Sequence, residues 1–231
     1  MLVWQNPRRN HLLQRLDDPG YGRLEPDLEL VTLQAGELLN AANSKTAWGY
    51  FPVTCLVSLG GTTAAGHYTP ICEVGREGLV GLAQLLGSRL LPYSCTVLLA
   101  GHAYRIPMDT LMVEFNRREC FQGVALEHVQ LCLIQIAQSA ICLRRHSNEQ
   151  KICKLLAQGA DRATNDELEM THQFIGNMLG LRREDVTQTA RKLQDEKLIE
   201  YTRGRITILD RDAIAARSCE CYGLLRSEFA P

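Results

Sequence analysis

The sequence predicts an α+β chain: a small antiparallel β barrel or sandwich first, then one long helix, then a winged helix-turn-helix. Three observations predict it. Between residues 28 and 106, short β-prone runs are separated by Gly, Pro and Asn. From about 119 to 146 the chain runs without Pro and with only Gly123 to weaken a helix. Across 170–197 the apolar period is that of two short helices around a glycine turn, with two further β-prone runs after them.

In chain order, 10–16 is expected as a short entry helix that docks Leu12, Leu13 and Leu16 on the next part of the chain. The β-prone runs are 28–33, 48–51, 54–59, 68–74, 94–99 and 104–106. Residues 60–66 read as a flexible hairpin end, and 75–81 as a glycine-rich connection to a helical turn around 83–86. A helix over 107–115 precedes the long one. On the long helix Val124, Leu131, Ile134, Ala137 or Gln138, and Ile141 or Cys142 form a heptad-like stripe, interrupted by Gln130, Gln135 and Gln138. A stripe of that length, between a β domain and the unit of short helices and hairpin that follows, predicts a parallel two-helix seam in a homodimer. Its candidate interface residues are Val124, Leu131, Ile134, Gln138 and Ile141. A separate helix over 147–158 takes Ser147 as N-cap with Glu149 or Gln150 behind it, and Ile152, Leu155 and Leu156 as its core face. Residues 159–166 read as a polar loop. After the hairpin a C-terminal helix starts at Arg211 and carries Cys219 to Tyr222. The expected division is 1–116, 117–146 and 147–231.

The stretch 170–197 carries the function. Thr171 can cap the first helix, Ile175 and Leu179 share one of its faces, and Gly180 sits where the chain must leave it with φ > 0. Gly176 permits a close crossing with the second helix, which buries Val186, Ala190 and Leu193. Glu184, Gln188 and Arg191 fall opposite that stripe, with Thr187 flanking and Arg182 and Arg183 in the first turn. Such a face can enter a major groove. Residues 198–201 and 206–209 then bracket Thr202-Arg203-Gly204-Arg205 as a hairpin, a wing with arginines at its tip.

Composition bounds the rest. A formal net charge of -1 over 231 residues means no overall basic field draws the chain to nucleic acid, so contact must come from a local patch. The N-terminus has neither an apolar leader core nor a cleavage signal, and no apolar run approaches the roughly 20 residues that span a bilayer. A soluble, cytoplasmic protein without a membrane partner is expected. Nine cysteines without C-x-x-C spacing are expected to be reduced and mostly buried, with little effect of oxidation state.

The order of β domain, long helix and winged helix-turn-helix resembles the Crp/Fnr family of bacterial transcription regulators along nearly the whole chain. T-H-Q-F-I-G-N-M-L-G-L-R-R-E-D-V-T and L-I-E-Y-T-R-G-R-I-T-I-L-D resemble the family's helix-turn-helix and wing almost position by position. Y-F-P-V-T-C-L-V-S-L and V-G-R-E-G-L-V-G resemble a branch whose ligand is generally uncharacterised. The resemblance implies a β-roll, the cyclic-nucleotide-binding-like jelly roll, at the N-terminus, double-stranded DNA as partner, and RNA polymerase as a further one. It implies that Arg183 and Glu184 read a G·C pair and that Gln188 tunes base choice. Thr171, His172, Arg182, Thr187, Arg191, Arg203 and Arg205 are candidates for other base or phosphate contacts. One departure matters. Leu82 stands where the family's cyclic-nucleotide binders have a ribose-holding Glu, and Tyr93 where they have a phosphate-holding Arg. A cyclic phosphodiester needs a cationic fork or helix N-terminus, so cyclic AMP is not expected as effector. The N-terminal cysteine cluster of the iron-sulfur members is missing, since no Cys precedes Cys55.

Other sites weigh less. Cys219-x-Cys221 on a helix would point its thiols about 200 degrees apart, which argues against a shared metal, and no metal is expected. His67, Cys72 and Cys95 could ligate haem, but packing accounts for them better. Clustered His and carboxylate ligands, the mark of an enzyme on a small barrel, are not seen in the β region, and no catalytic residue is assigned. The competing reading is a ligand-binding regulatory subunit whose winged helix is a protein-interaction surface.

Overall fold

The structure is a computed structural model that describes residues 3–62, 68–87, 90–162 and 166–228. Residues 63–66 of the expected hairpin end, and His67, lie outside the described residues. The chain forms two compact units, residues 1–61 with 70–133, and residues 62–69 with 134–230.

The first unit opens with α1 (His11–Gln14) and α2 (Asp18–Leu24). Turn-forming residues then separate the strands β1 (Glu29–Leu33), β2 (Leu38–Asn40), β3 (Trp48–Pro52), β4 (Leu56–Thr62), β5 (Tyr68–Val74), β6 (Ser94–Leu99) and β7 (Gly101–Pro107). They make two sheets, ordered β1-β7-β3 and β2-β6-β4-β5, with antiparallel registers such as Val31 opposite Ala103 and Phe51 opposite Tyr104. Between the strands Leu33, Tyr50, Cys55, Val57, Val74, Cys95 and Val97 form one apolar cluster. The expected antiparallel β-roll is therefore present. The short helix α3 (Leu82–Leu85) interrupts it, and α4 (Met108–Asn116) comes after β7. α2 was not anticipated, although Asp17 caps it by accepting from the Gly20 amide and Pro19 stands in its first turn, both start signals legible in sequence.

A second cluster joins Leu12, Leu13, Leu16, Tyr21 and Leu24 to Phe51, Ile106, Leu111, Phe115 and Phe121. Its geometry depends on Asn10, which is fully buried. The Asn10 side chain donates to the carbonyls of Pro52 at 2.9 Å and Gly78 at 2.8 Å, while its oxygen accepts from the amides of Leu12 and Leu13. One side chain thus caps α1 and ties it to two separate parts of the β-roll.

α5 (Cys120–Arg145) is the long helix. By length and composition alone its 26 residues could cross a membrane, but Glu127, His128, Gln135 and Gln138 interrupt the apolar surface. In the second unit α6 (Asn148–Arg162) runs through 159–162, where a polar loop was expected. Its start is a reciprocal capping box: Ser147 Oγ accepts from the Gln150 amide, and Gln150 Oε1 accepts from the Ser147 amide. Around α6 pack β8 (Glu167–Glu169), α7 (His172–Leu179), α8 (Arg183–Asp195), α9 (Arg211–Arg217) and α10 (Cys221–Glu228). β9 (Ile199–Thr202) and β10 (Arg205–Ile208) form the expected wing. β8 was missed; it adds to the wing as β8-β10-β9, and buried Leu168 and Met170 alternate with exposed Glu167 and Glu169. The single C-terminal helix is also corrected: α9 ends at Arg217 and Ser218 is extended, so Cys219-x-Cys221 does not lie on one helix.

Because Asn10→Ala leaves two buried carbonyls unpaired and removes a cap, it should cost about 2 to 4 kcal/mol in denaturant unfolding. A loss below half a kcal/mol would show that the N-terminal helices dock without it.

Candidate nucleic-acid interface

The second unit presents a helix, a turn and a second helix whose angle is set by backbone chemistry. Thr171 Oγ1 accepts from the Phe174 amide at 3.0 Å and starts α7. α7 stops at Gly180, which is left-handed at φ 63 and ψ 32. The amides of Gly180 and Leu181 both turn back to the carbonyl of Gly176, the latter at 2.9 Å. A Cβ on Gly176 would sit 2.9 Å from the Leu181 carbonyl oxygen. The glycine therefore clears the turn itself, rather than the second helix as the sequence suggested.

α8 then starts with Arg182 as its N-cap residue in extended conformation, without a side-chain cap. Val186, Ala190 and Leu193 are buried, while Arg182, Arg183, Glu184, Gln188 and Arg191 are all exposed. Glu184 and Asp185 in the first turn favour the positive end of the helix dipole. The basic Lys192, one residue on from Arg191, is turned aside: its ammonium meets Glu149 of α6 at 2.6 Å, and that ion pair raises its pKa. Glu149 also accepts from Arg217 of α9 at 3.3 Å, so one carboxylate braces α6, α8 and α9.

Three candidates are engaged within the fold. Thr187 Oγ1 donates to the Arg183 carbonyl at 2.9 Å and lies 3.0 Å from His172 Nδ1. The His172 ring stacks on Tyr201 of the wing, with centroids 4.1 Å apart. His172 thus links α7, α8 and β9, and burial, with the nearby Arg183 charge second, lowers its pKa. Its Nε2 finds no hydrogen-bond partner among the described residues. Thr171, as cap, spends its side-chain oxygen on the backbone, and a Cβ at Gly204 would come within 3.2 Å of its methyl group.

The wing turns at Arg203 and Gly204, with φ 50 and φ 86, and pairs Thr202 with Arg205. Two successive positive φ values define a type I′ hairpin. Arg203 and Arg205 are exposed, and Arg205 stands 3.5 Å from Glu169 of β8.

In the first unit the positions that depart from the cyclic-nucleotide binders carry no charge toward a ligand. Leu82 is buried in the helical cluster, and Tyr93 packs on the strand cluster, where burial pushes its hydroxyl pKa up to about 12. Cys95 is core packing. Cys72 pairs instead with Cys132 of α5, a neighbour that sequence spacing could not reveal; that hydrogen bond, with His128 Nε2 3.8 Å away, lowers the Cys132 pKa. Val124, one of the expected seam residues, is 8% exposed and belongs to the helical cluster. Gln138 is half-buried and donates to Cys221 Sγ, whereas Ile141 is exposed and Leu131 and Ile134 are half-buried.

Since the Leu181 carbonyl belongs to the turn and cannot move without opening it, Gly176→Ala should destabilise the second unit by about 1 to 3 kcal/mol and weaken DNA binding. Thermal melts and gel shifts on the same preparations would measure both, and a variant as stable as wild type would show that the turn tolerates a Cβ.

Comparison with known proteins agrees with this geometry. Residues 150–217, from α6 to α9, match the Crp-like helix-turn-helix domain. No curated protein matches the chain closely enough to count. Among solved structures, the chain is similar to a transcriptional regulator of the Crp/Fnr family from Eubacterium rectale, at 16% identity and a TM-score of 0.71, covering 91% of this chain and 98% of that one. It is similar to a Crp/Fnr transcriptional regulator from Thermus thermophilus, at 18% identity and 0.65, covering 82% and 98%. It is also similar to the c-di-GMP-responsive global regulator of Xanthomonas campestris, at 13% and 0.66, covering 84% and 100%. The chain therefore carries a Crp-like helix-turn-helix domain on the fold of the Crp/Fnr transcription regulators.

Proposed function

We propose that the chain is a homodimeric, sequence-specific transcription regulator of the bacterial cytoplasm, which binds an inverted-repeat operator and contacts RNA polymerase. The observation that carries this reading is α8: Arg183, Glu184, Gln188 and Arg191 are exposed opposite a fully buried apolar stripe, within the Crp-like domain. Arg183 and Glu184 read a G·C pair, the guanidinium fork on guanine O6 and N7 and the carboxylate on cytosine N4. Gln188, one turn further along, tunes the adjacent base. Arg182, Arg203 and Arg205 meet phosphates, supplying affinity and salt dependence. Thr171, His172 and Thr187 act chiefly by holding α7, α8 and the wing in register, which their internal bonds support. On this reading residues 1–116 form the sensor, 117–146 the dimerisation helix and 147–231 the DNA-binding domain. The effector is not a cyclic mononucleotide, a view supported by the packing of Leu82 and Tyr93.

The dimer seam runs along α5, but on a face rotated from the heptad-like stripe of Leu131 and Ile134. Leu126, Leu133, Ile136 and Leu143 are exposed, Leu133 to 62%, with Val129 and Ala140 between them. These six recur at alternating spacings of three and four, the a/d pattern of a two-stranded coil. An apolar face of this extent asks for cover. Val124, already buried, lies off this face.

Selection from random DNA checks the readout. Arg183→Ala should cost about 1 to 3 kcal/mol on the selected site and relax one base position per half-site, while Arg203→Ala should weaken all sequences alike. Enriched sites without two-fold symmetry would overturn it, and binding to a protein partner with no DNA selected would favour the regulatory-subunit reading.

Sedimentation tests the seam. Leu133→Asp with Ile136→Asp should yield folded monomers, and a wild type that is itself monomeric at micromolar concentration would rule the seam out.

A further inference from the structure

Within the second unit, four residues far apart in sequence meet at one point. Cys142 and His146 stand one turn apart near the end of α5, while Cys219 lies just before α10 and Cys221 is its first residue. Their sulfur and ring-nitrogen atoms all lie within 4.8 Å of one another. Cys142 Sγ is 3.6 Å from Cys219 Sγ, and Cys221 Sγ is 3.5 Å from His146 Nδ1.

We propose that Cys142, His146, Cys219 and Cys221 form a closed, tetrahedral site for one zinc-type divalent cation. With metal–sulfur bonds near 2.3 Å and metal–nitrogen bonds near 2.0 Å, a tetrahedron places two sulfurs about 3.8 Å apart and a sulfur and a nitrogen about 3.5 Å apart. The two observed separations fit a single ion within a few tenths of an ångström. With all four ligand atoms within 4.8 Å of one another, the set is also too compact for an iron-sulfur cluster, whose ligands spread around several iron atoms. Three soft sulfurs and one imidazole are a donor set that selects zinc among common divalent ions.

The surroundings fit the same purpose. His146 Nε2 donates to the Glu220 carboxylate at 3.1 Å, which leaves Nδ1, the nitrogen that faces Cys221, as the ligating atom. Gln138 Nε2 donates to Cys221 Sγ at 2.9 Å, a bond suited to a thiolate. All three cysteines are buried, which keeps competing water from the sulfurs. Cysteines acting only as small hydrophobes would not gather an imidazole, a carboxamide N–H and a carboxylate around them. Four protein ligands leave no open position, so the ion is structural: it staples the segment before α10 to the end of α5. The expectation of divergent thiols failed because it assumed a continuous helix through Cys219, and the chain breaks there.

The test uses the full-length protein, expressed with zinc in the medium and purified under reducing conditions without chelator. Elemental analysis should find about one zinc per chain, and exchange for Co²⁺ should give the thiolate charge-transfer and d–d absorption of a tetrahedral sulfur site. Cys219→Ser with Cys221→Ser should abolish both, while Cys153→Ser, a buried cysteine outside the cluster, keeps them. Should the double variant not fold, blocking thiols with a mercurial on the wild type must release the zinc in step with loss of three thiols. A strong chelator should lower the melting temperature of the wild type and of Cys153→Ser, and leave that of the double variant unchanged. Wild type that takes up no stoichiometric zinc, metal retained by the double variant, iron recovered with inorganic sulfide, or a Cys142–Cys219 disulfide in acid-trapped protein would each overturn the proposal.

Discussion

The angle between α7 and α8 depends on one carbonyl. Gly176 O receives the amides of both Gly180 and Leu181, and that pair of bonds stops α7, reverses the chain and starts α8 within three residues. Two glycines make it possible for different reasons. Gly180 supplies the left-handed backbone, and Gly176 supplies the empty volume beside the Leu181 oxygen. Everything α8 displays is aimed by this joint, because its buried stripe has only one way to meet the core once the angle is fixed.

Around the joint, polar side chains serve as braces. His172 ties the first helix to the second through Thr187 and to the wing through Tyr201. Glu149 holds Lys192 and Arg217, and so keeps α8 and α9 against α6. Each brace uses a residue that composition alone would assign to the surface charge. The basic face is consequently smaller than a tally of Lys and Arg implies, in keeping with a net charge near zero.

The legible parts of the sequence were those where local chemistry decides. β5, β6, the wing and the helix-turn-helix arise from alternation, capping residues and a glycine that needs positive φ. β8 was hidden because its alternation covers only Leu168 and Met170 and sits among polar residues. The long helix showed its period but not its orientation. Val124 and Leu126 are two steps apart, and only packing against Phe121 and the β-roll shows which of them faces inward. Least legible was the meeting of Cys142 with Cys219, because 77 residues separate them and the break after Arg217 has no strong sequence mark.

The tip of the wing carries a further consequence. Arg203 occupies a left-handed backbone position where Asn or Gly would be more comfortable by about 1 kcal/mol, since its Cβ crowds the following carbonyl. A hairpin selected only for folding would not keep an arginine there. Directed evolution for heat resistance would thus find an easy improvement at this residue and, in taking it, discard the guanidinium that the proposed readout assigns to a phosphate, so on that reading the most thermostable descendants of this protein would be expected among its poorest ligands for a polyanion.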